Sequence, residues 1–294
     1  MKEFEKVIAS WAEATSADKT QEAHNAAIRV LIMAAEHALK NPTPSLLLQQ
    51  EADDLETKGD WSGAEAARRK VLALKETAGD FGTKAQLDLC RLLSLVGRGD
   101  EAWQFAVAAT ASARRTEVFP LIYMALENEA RCALDRATLP EALAAASEAV
   151  QVIEPGKLSE LMRASALTTL ARFLLAANDS AGAEMQLLLS WELLKACSSD
   201  SMLLPGPIRA LANWWEGKSQ LAERQGDLGG ALAAITRSIE FRRMSEGPYA
   251  FWALARALER LGEISRATGD FAGEELALSE ATSIRKDLKL FPSA

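Results

Sequence analysis

Leu261-Gly262-Glu263-Ile264-Ser265-Arg266-Ala267-Thr268-Gly269-Asp270-Phe271-Ala272-Gly273-Glu274 is the stretch whose reading decides the fold. A small residue, Gly262, is followed by the breaker pair Gly269-Asp270, and a return segment opens at Phe271. Glycine takes the left-handed conformation that ends a helix, and Asp beside it caps the next one. Upstream the same unit recurs as Ala52/Ala64, Cys90/Ala102, Ala130/Ala142, Ala171/Ala183 and Ser219/Ala231, each a small residue followed twelve positions later by alanine. In the last pair, Gly262/Glu274, glutamate takes the alanine position. The first members are 38, 40, 41, 48 and 43 residues apart. Breakers fall inside the pairs at Gly59-Asp60, Gly97, Asn178-Asp179, Gly226-Asp227 and Gly269-Asp270. Three residues past the small one stand Leu55, Leu93, Ala133, Leu174 and Ala222, with Ser265 the exception. Two antiparallel helices that nearly touch need a small side chain on each at the crossing. The pattern therefore predicts an all-α chain, a right-handed α-solenoid of about seven antiparallel helical hairpins.

The residues of this unit resemble the tetratricopeptide repeat. Leu261-Gly262 and Leu170-Ala171 match its Leu-Gly step, Trp215 its early tryptophan, and Trp61, Leu228 and Phe271 its turn hydrophobe. The period, about 41, exceeds the 34 of the consensus, Glu274 replaces the return-helix alanine, and the late proline is mostly missing, Pro155 being nearest. The longer period resembles the arrays of kinesin light chains and of the sensor regions of large bacterial regulators. The resemblance covers residues 45–290 and implies a superhelix that presents a surface to other molecules. Ala14 and Ala26 repeat the twelve-residue spacing, so residues 1–41 read as an atypical N-terminal hairpin and 1–294 as a single repeat domain. Asn41-Pro42-Thr43-Pro44-Ser45, Pro155-Gly156, Pro205-Gly206-Pro207 and Gly247-Pro248 are breaks. The third accounts for the 48-residue interval, and a bend or an altered pitch is expected between Cys197 and Pro207.

Composition narrows the function. A net charge of −8 argues against nucleic acid, whose phosphates need a basic face. Cys90, Cys132 and Cys197 form an odd set without metal spacing and read as reduced, which favours the cytoplasm. Acidic residues in Met1-Lys2-Glu3-Phe4-Glu5-Lys6 argue against a signal peptide, and no stretch approaches the ~18 apolar residues of a membrane span. His24 and His37 have no partner at metal-ligand spacing, and no nucleophile elbow or His-based triad is present. The chain thus reads as a non-enzyme without cofactor, metal, nucleic acid or membrane partner. Ala212-Asn213-Trp214-Trp215-Glu216-Gly217-Lys218-Ser219 fits a relaxed phosphate-binding loop, but that chemistry needs a strand before it and a helix after it. Here Ser219 occupies the crossing position, so continuous helix is expected. Arg98-Gly99-Asp100 reads as a repeat turn.

In tetratricopeptide arrays the residue just after the small packing position faces the concave groove. That resemblance makes Asp53, Arg91, Arg131, Arg172, Gln220 and Glu263 a groove column, with Leu87, Glu127, Thr168 and Glu216 in the row four before. Arg91, Arg131 and Arg172 would stand ~10 Å apart, a ladder of rigid donor forks suited to carboxylates. Helix pairs Glu127–Arg131 and Asp88–Arg91 are the competing reading. Trp214 points away from Trp215 and is the other partner-binding candidate, either as an exposed anchor or packed on the neighbouring repeat. Leu187–Leu194, apolar nearly all round, is buried on several sides, by adjacent hairpins or by a second copy. Three functions follow: a module binding an acidic peptide or protein segment on its concave face; an assembly factor acting as a homodimer or permanent complex subunit; a ligand- or signal-peptide-sensing domain.

Overall fold

The computed structural model describes residues 42–153, 159–196 and 205–289. The N-terminal hairpin, the Pro155-Gly156 break, Cys197 and most of the expected bend before Pro207 lie outside these residues. The chain divides into two compact units, residues 1–51 and 52–294, where the repeat pattern pointed to one continuous domain. In the first, Thr43 Oγ1 accepts from the Leu46 N–H at 3.2 Å, at the start of a helix.

The described residues form twelve helices and no strand. They pair as six hairpins: α1 (Pro44–Thr57) with α2 (Trp61–Thr77), α3 (Thr83–Leu95) with α4 (Gly99–Thr116), α5 (Phe119–Asp135) with α6 (Leu139–Val152), α7 (Glu160–Ala176) with α8 (Ser180–Ala196), α9 (Pro205–Arg224) with α10 (Leu228–Arg243), and α11 (Pro248–Thr268) with α12 (Phe271–Asp287). This is an α-solenoid. Pro205–Arg224 is unbroken helix through Gly217-Lys218-Ser219, as the repeat position of Ser219 requires.

One turn closes every hairpin. The carbonyl three residues past the crossing residue accepts from the N–H five positions on: Asp60 to Leu55, Arg98 to Leu93, Thr138 to Ala133, Asp179 to Leu174, Asp227 to Ala222 and Asp270 to Ser265, all at 2.8–2.9 Å. This bond closes the last helical turn around one left-handed residue, here Gly59, Gly97, Ala137, Asn178, Gly226 and Gly269. In four hairpins an aspartate then caps the second helix. Asp60, Asp179, Asp227 and Asp270 accept from the N–H groups of Gly63, Gly182, Gly230 and Gly273 at 2.8–3.0 Å.

The turn sets the crossing. Ala52, Ala64, Cys90, Ala102, Ala130, Ala142, Ala171, Ala183, Ser219 and Ala231 are all fully buried. Ser219 Oγ donates to the Ala231 carbonyl at 3.0 Å, so the two helices meet backbone to side chain at the predicted spacing. A Cβ at Gly262 would lie 3.0 Å from Leu278 and 3.7 Å from the Glu274 carbonyl. At the last crossing it is the Leu278 side chain that crowds this position, while the Glu274 side chain turns out to accept from Arg266 Nε at 2.7 Å.

The two ends of the 52–294 unit touch. Trp61 Nε1 donates to the Leu288 carbonyl at 2.9 Å, and Lys289 Nζ to the Lys58 carbonyl at 2.8 Å. Arg91 of α3 lies over the Tyr249 ring of α11, 4.3 Å from its centroid.

Ala171→Trp should overpack the α7–α8 crossing and cost ~3 kcal/mol or more, read as a fall in the denaturant midpoint. Asp270→Ala should remove the α12 cap and cost ~1 kcal/mol in the same measurement.

Candidate partner-binding face

The first helices of successive hairpins contact one another directly. Cys90 of α3 meets Cys132 of α5, and Thr169 of α7 donates to Glu127 of α5 at 3.4 Å. Arg172 of α7 pairs with Glu216 of α9 at 3.0 Å, and Arg260 of α11 with Glu223 of α9 at 2.6 Å. With Arg91 over Tyr249, α3, α5, α7, α9 and α11 line one interior face of the 52–294 unit.

Arg91, Arg131 and Arg172 occupy one register on this face, each directly after a fully buried crossing residue, and each is half-buried. Their partners differ. Arg91 stacks on Tyr249 and lies 3.9 Å from Asp88. Asp88 is itself held by Lys84 at 2.8 Å and Arg68 at 3.4 Å. Arg131 donates to Asn128 Oδ1 at 2.5 Å and has no carboxylate partner among the described residues. Arg172 is tied to Glu216, while its buried Nε has no hydrogen-bond partner.

The row four before divides. Leu87 and Thr168 are 2% exposed and belong to the core, Thr168 sharing a 2.8 Å hydrogen bond with Ser190. The physical reason is helical periodicity: these positions lie three before a crossing residue and so share its buried side. Glu216 is in that row too, three before Ser219, so its carboxylate is turned toward the buried side. Burial alone would raise its pKa. Arg172, Arg242 and Arg256 overcome this and hold it at about 2. Arg242, on the second helix α10, reaches across its own hairpin to Glu216 and is also 3.2 Å from Asn213 Oδ1. Three guanidinium groups thus converge on one carboxylate.

Two further arginines of this face lie outside the sequence column. Arg209 of α9 is exposed; its charge draws down the hydroxyl pKa of Tyr123, which burial and Glu127 push up. Arg256 of α11 is exposed, 5.0 Å from the Trp252 ring centroid. Among the described residues neither forms an ion pair within 4 Å. No column reading could find them, because they stand one to three turns ahead of the crossing and depend on how α9 and α11 turn toward the interior.

Trp214 does not present an exposed anchor. It is 7% exposed, stacks on Trp191 with centroids 4.5 Å apart, meets Trp215 edge-on at 4.9 Å, and donates its Nε1 proton to the Leu187 carbonyl at 2.9 Å. The ring fills the α8–α9 junction. Along Leu187–Leu194 burial is one-sided: Leu187 and Leu194 are 1% exposed, whereas Leu188 and Leu189 are 58% and 50% exposed. Arg98-Gly99-Asp100 is a repeat turn, with Arg98 paired to Glu101 at 2.6 Å and Asp100 to Arg136 at 2.9 Å.

Among the described residues no group of three or more His, Cys, Asp or Glu is placed to hold a metal ion, and no helix is long and apolar enough to cross a membrane. No protein-family model and no curated protein matches the sequence. Among solved structures the chain is similar to the apo form of RapI, at 12% identity with a TM-score of 0.65, over 98% of this chain and 99% of that one. It is also similar to a tetratricopeptide repeat protein from Parabacteroides merdae ATCC 43184 (18% identity, 84% of this chain and 98% of that one, TM-score 0.45). A third is a putative kinesin light chain with TPR-like repeats from Podosopora anserina (14% identity, 70% and 95%, TM-score 0.44). The chain is a tetratricopeptide-like repeat protein in fold.

Because the Glu216 carboxyl is held at about 2 in the folded chain, against 4.5 ordinarily, its contribution is present above pH 4.5 and lost as pH falls toward 2. The shift corresponds to about 3 kcal/mol. Glu216→Leu should flatten that part of the stability–pH profile, measured by urea unfolding, and should destabilise the protein at neutral pH by ~3 kcal/mol through the unpaired Arg242.

Proposed function

We propose that the chain is a protein-interaction module that takes an acidic peptide or protein segment along the face built by α3, α5, α7, α9 and α11. The observation that carries this reading is a local surplus of guanidinium groups in a chain of net charge −8. Arg172, Arg242 and Arg256 share the single carboxylate of Glu216, and among the described residues Arg131 and Arg209 form no ion pair with a carboxylate. Arg91, Arg131 and Arg172 remain the binding ladder, joined by Arg209 and Arg256. Arginine forks suit carboxylates, and their charge is poorly spent on so few acids. The reading involves no catalysis by the chain itself, and we place the module in the cytoplasm.

A second reading, a homodimer or permanent complex subunit, is favoured by one patch. Met185, Leu188 and Leu189 stand on one face of α8 at 56%, 58% and 50% exposure. Light scattering of the purified chain separates the two: a dimer that Leu188→Glu dissociates supports the second.

For the first, a short glutamate-rich peptide should bind with an affinity that falls as salt rises. Single replacement of Arg131, Arg209 or Arg256 by Ala should weaken binding by about 1.5–3 kcal/mol, and for Arg131 and Arg209, outside the Glu216 cluster, the unfolding midpoint should stay almost unchanged. Calorimetry showing equal affinity for the wild type and the triple variant would overturn it.

A further inference from the structure

Cys90 and Cys132 do more than the packing of the array requires. Cys90 is the crossing residue of α3, a place that alanine fills at positions 52, 130 and 171. Cys132 lies two residues past the crossing of α5. Both are buried, at 0% and 1% exposure, and both are free thiols. They come from different hairpins, yet their sulfurs lie 3.4 Å apart. Ser94 Oγ is 3.7 Å from the Cys132 sulfur. Ser94 and Arg131, beside the pair, are both half-buried. A methyl group at position 90 would meet the steric need, so the facing thiols are open to a chemical use.

We propose that Cys90 and Cys132 are an oxidative modification site: they close to a reversible disulfide that bridges the second and third hairpins in response to a peroxide. Cys132 is the attacking sulfur. The hydrogen bond from Cys90 draws its thiol pKa down; burial opposes this, and the Arg131 charge adds to it. The same contact, with burial, pushes Cys90 up. The facing charged groups are Arg131, which favours the thiolate of either sulfur, and Asp135, which opposes that of Cys132. The Cys132 thiolate attacks one peroxide oxygen; the O–O bond breaks, Cys132 becomes a sulfenic acid, and the departing hydroxide takes up a proton to give water. The Cys90 sulfur, losing its proton, then attacks the sulfenic sulfur. The S–S bond forms as the S–O bond breaks, and a second water leaves. Two thiols lose two electrons, and hydrogen peroxide takes up both. A small-molecule thiol reverses the bond by exchange. In a reducing compartment such a bond is transient, as redox-sensing disulfides are. Because Arg91 follows Cys90 and Arg131 precedes Cys132, the bond would fix the spacing of two neighbouring arginines of the interior face.

The test treats the full chain carrying Cys197→Ser with hydrogen peroxide while circular dichroism follows the helix content. The expected product is lighter by two hydrogen atoms, with a tryptic cross-link between the Cys90 and Cys132 peptides, helix retained, and both thiols restored by dithiothreitol. Its thermal midpoint should rise. With Cys90→Ala added, the cross-link should vanish and a dimedone adduct should appear on Cys132. Two titratable thiols persisting in the folded chain after peroxide would overturn the proposal. So would over-oxidation of Cys132 without a cross-link, or a bond that forms only once helix content is lost.

Discussion

Close approach of two helices at one small residue each is the constraint from which the rest of the structure follows. Ser219 Oγ touching the Ala231 carbonyl shows how little space the crossing leaves. A side chain one methylene larger would push the helices apart, and protein interiors do not absorb such volume without strain. The turn and the crossing enforce each other. The bond from the residue eight past the crossing to the carbonyl three past it fixes where the chain reverses. That in turn fixes which residue of the second helix lies opposite.

The same constraint explains the Glu216 centre. A position three before a crossing is turned inward, which is why Leu87 and Thr168 are core. Placing a carboxylate there is costly unless cations accompany it. Arg172, Arg242 and Arg256 come from three different helices, so the ion cluster ties the fourth, fifth and sixth hairpins together through charge, beside apolar contacts such as Trp214 on Trp191. Meeting one buried charge with three leaves a positive remainder beside the interior face. The electrostatic character of that face is therefore partly a by-product of how the array is held together.

What the sequence revealed was local, and what it concealed was not. The breakers, caps and crossing residues are set by backbone chemistry within a dozen residues, so the hairpins could be placed from Gly269-Asp270 and its counterparts. Even the departure at Glu274 had a local cause, since its side chain leaves the crossing toward Arg266. Trp214 was open to two readings because burial there depends on Trp191 from the preceding hairpin, whose position the spacing alone does not determine. Arg209, Arg242 and Arg256 went unseen for the same reason. Arg209 and Arg256 meet Tyr123 and Glu216 across hairpins joined by connections of unequal length, and Arg242 meets Glu216 across its own hairpin, 26 residues away. The contact of Cys90 with Cys132 likewise depends on first helices of different hairpins lying side by side.

The contact between the two ends of the 52–294 unit changes how such an array should come apart. A linear stack of repeats loses its terminal units first, because each end has only one neighbour and opening it breaks a single interface. Here Trp61 and Lys58 are bonded to the residues that follow α12. Fraying of the last hairpin therefore exposes the first, and fraying of the first exposes the last. With no end that opens alone, opening at either terminus is coupled to the other, and the unit should lose structure more nearly as a whole than an open stack of the same six hairpins would.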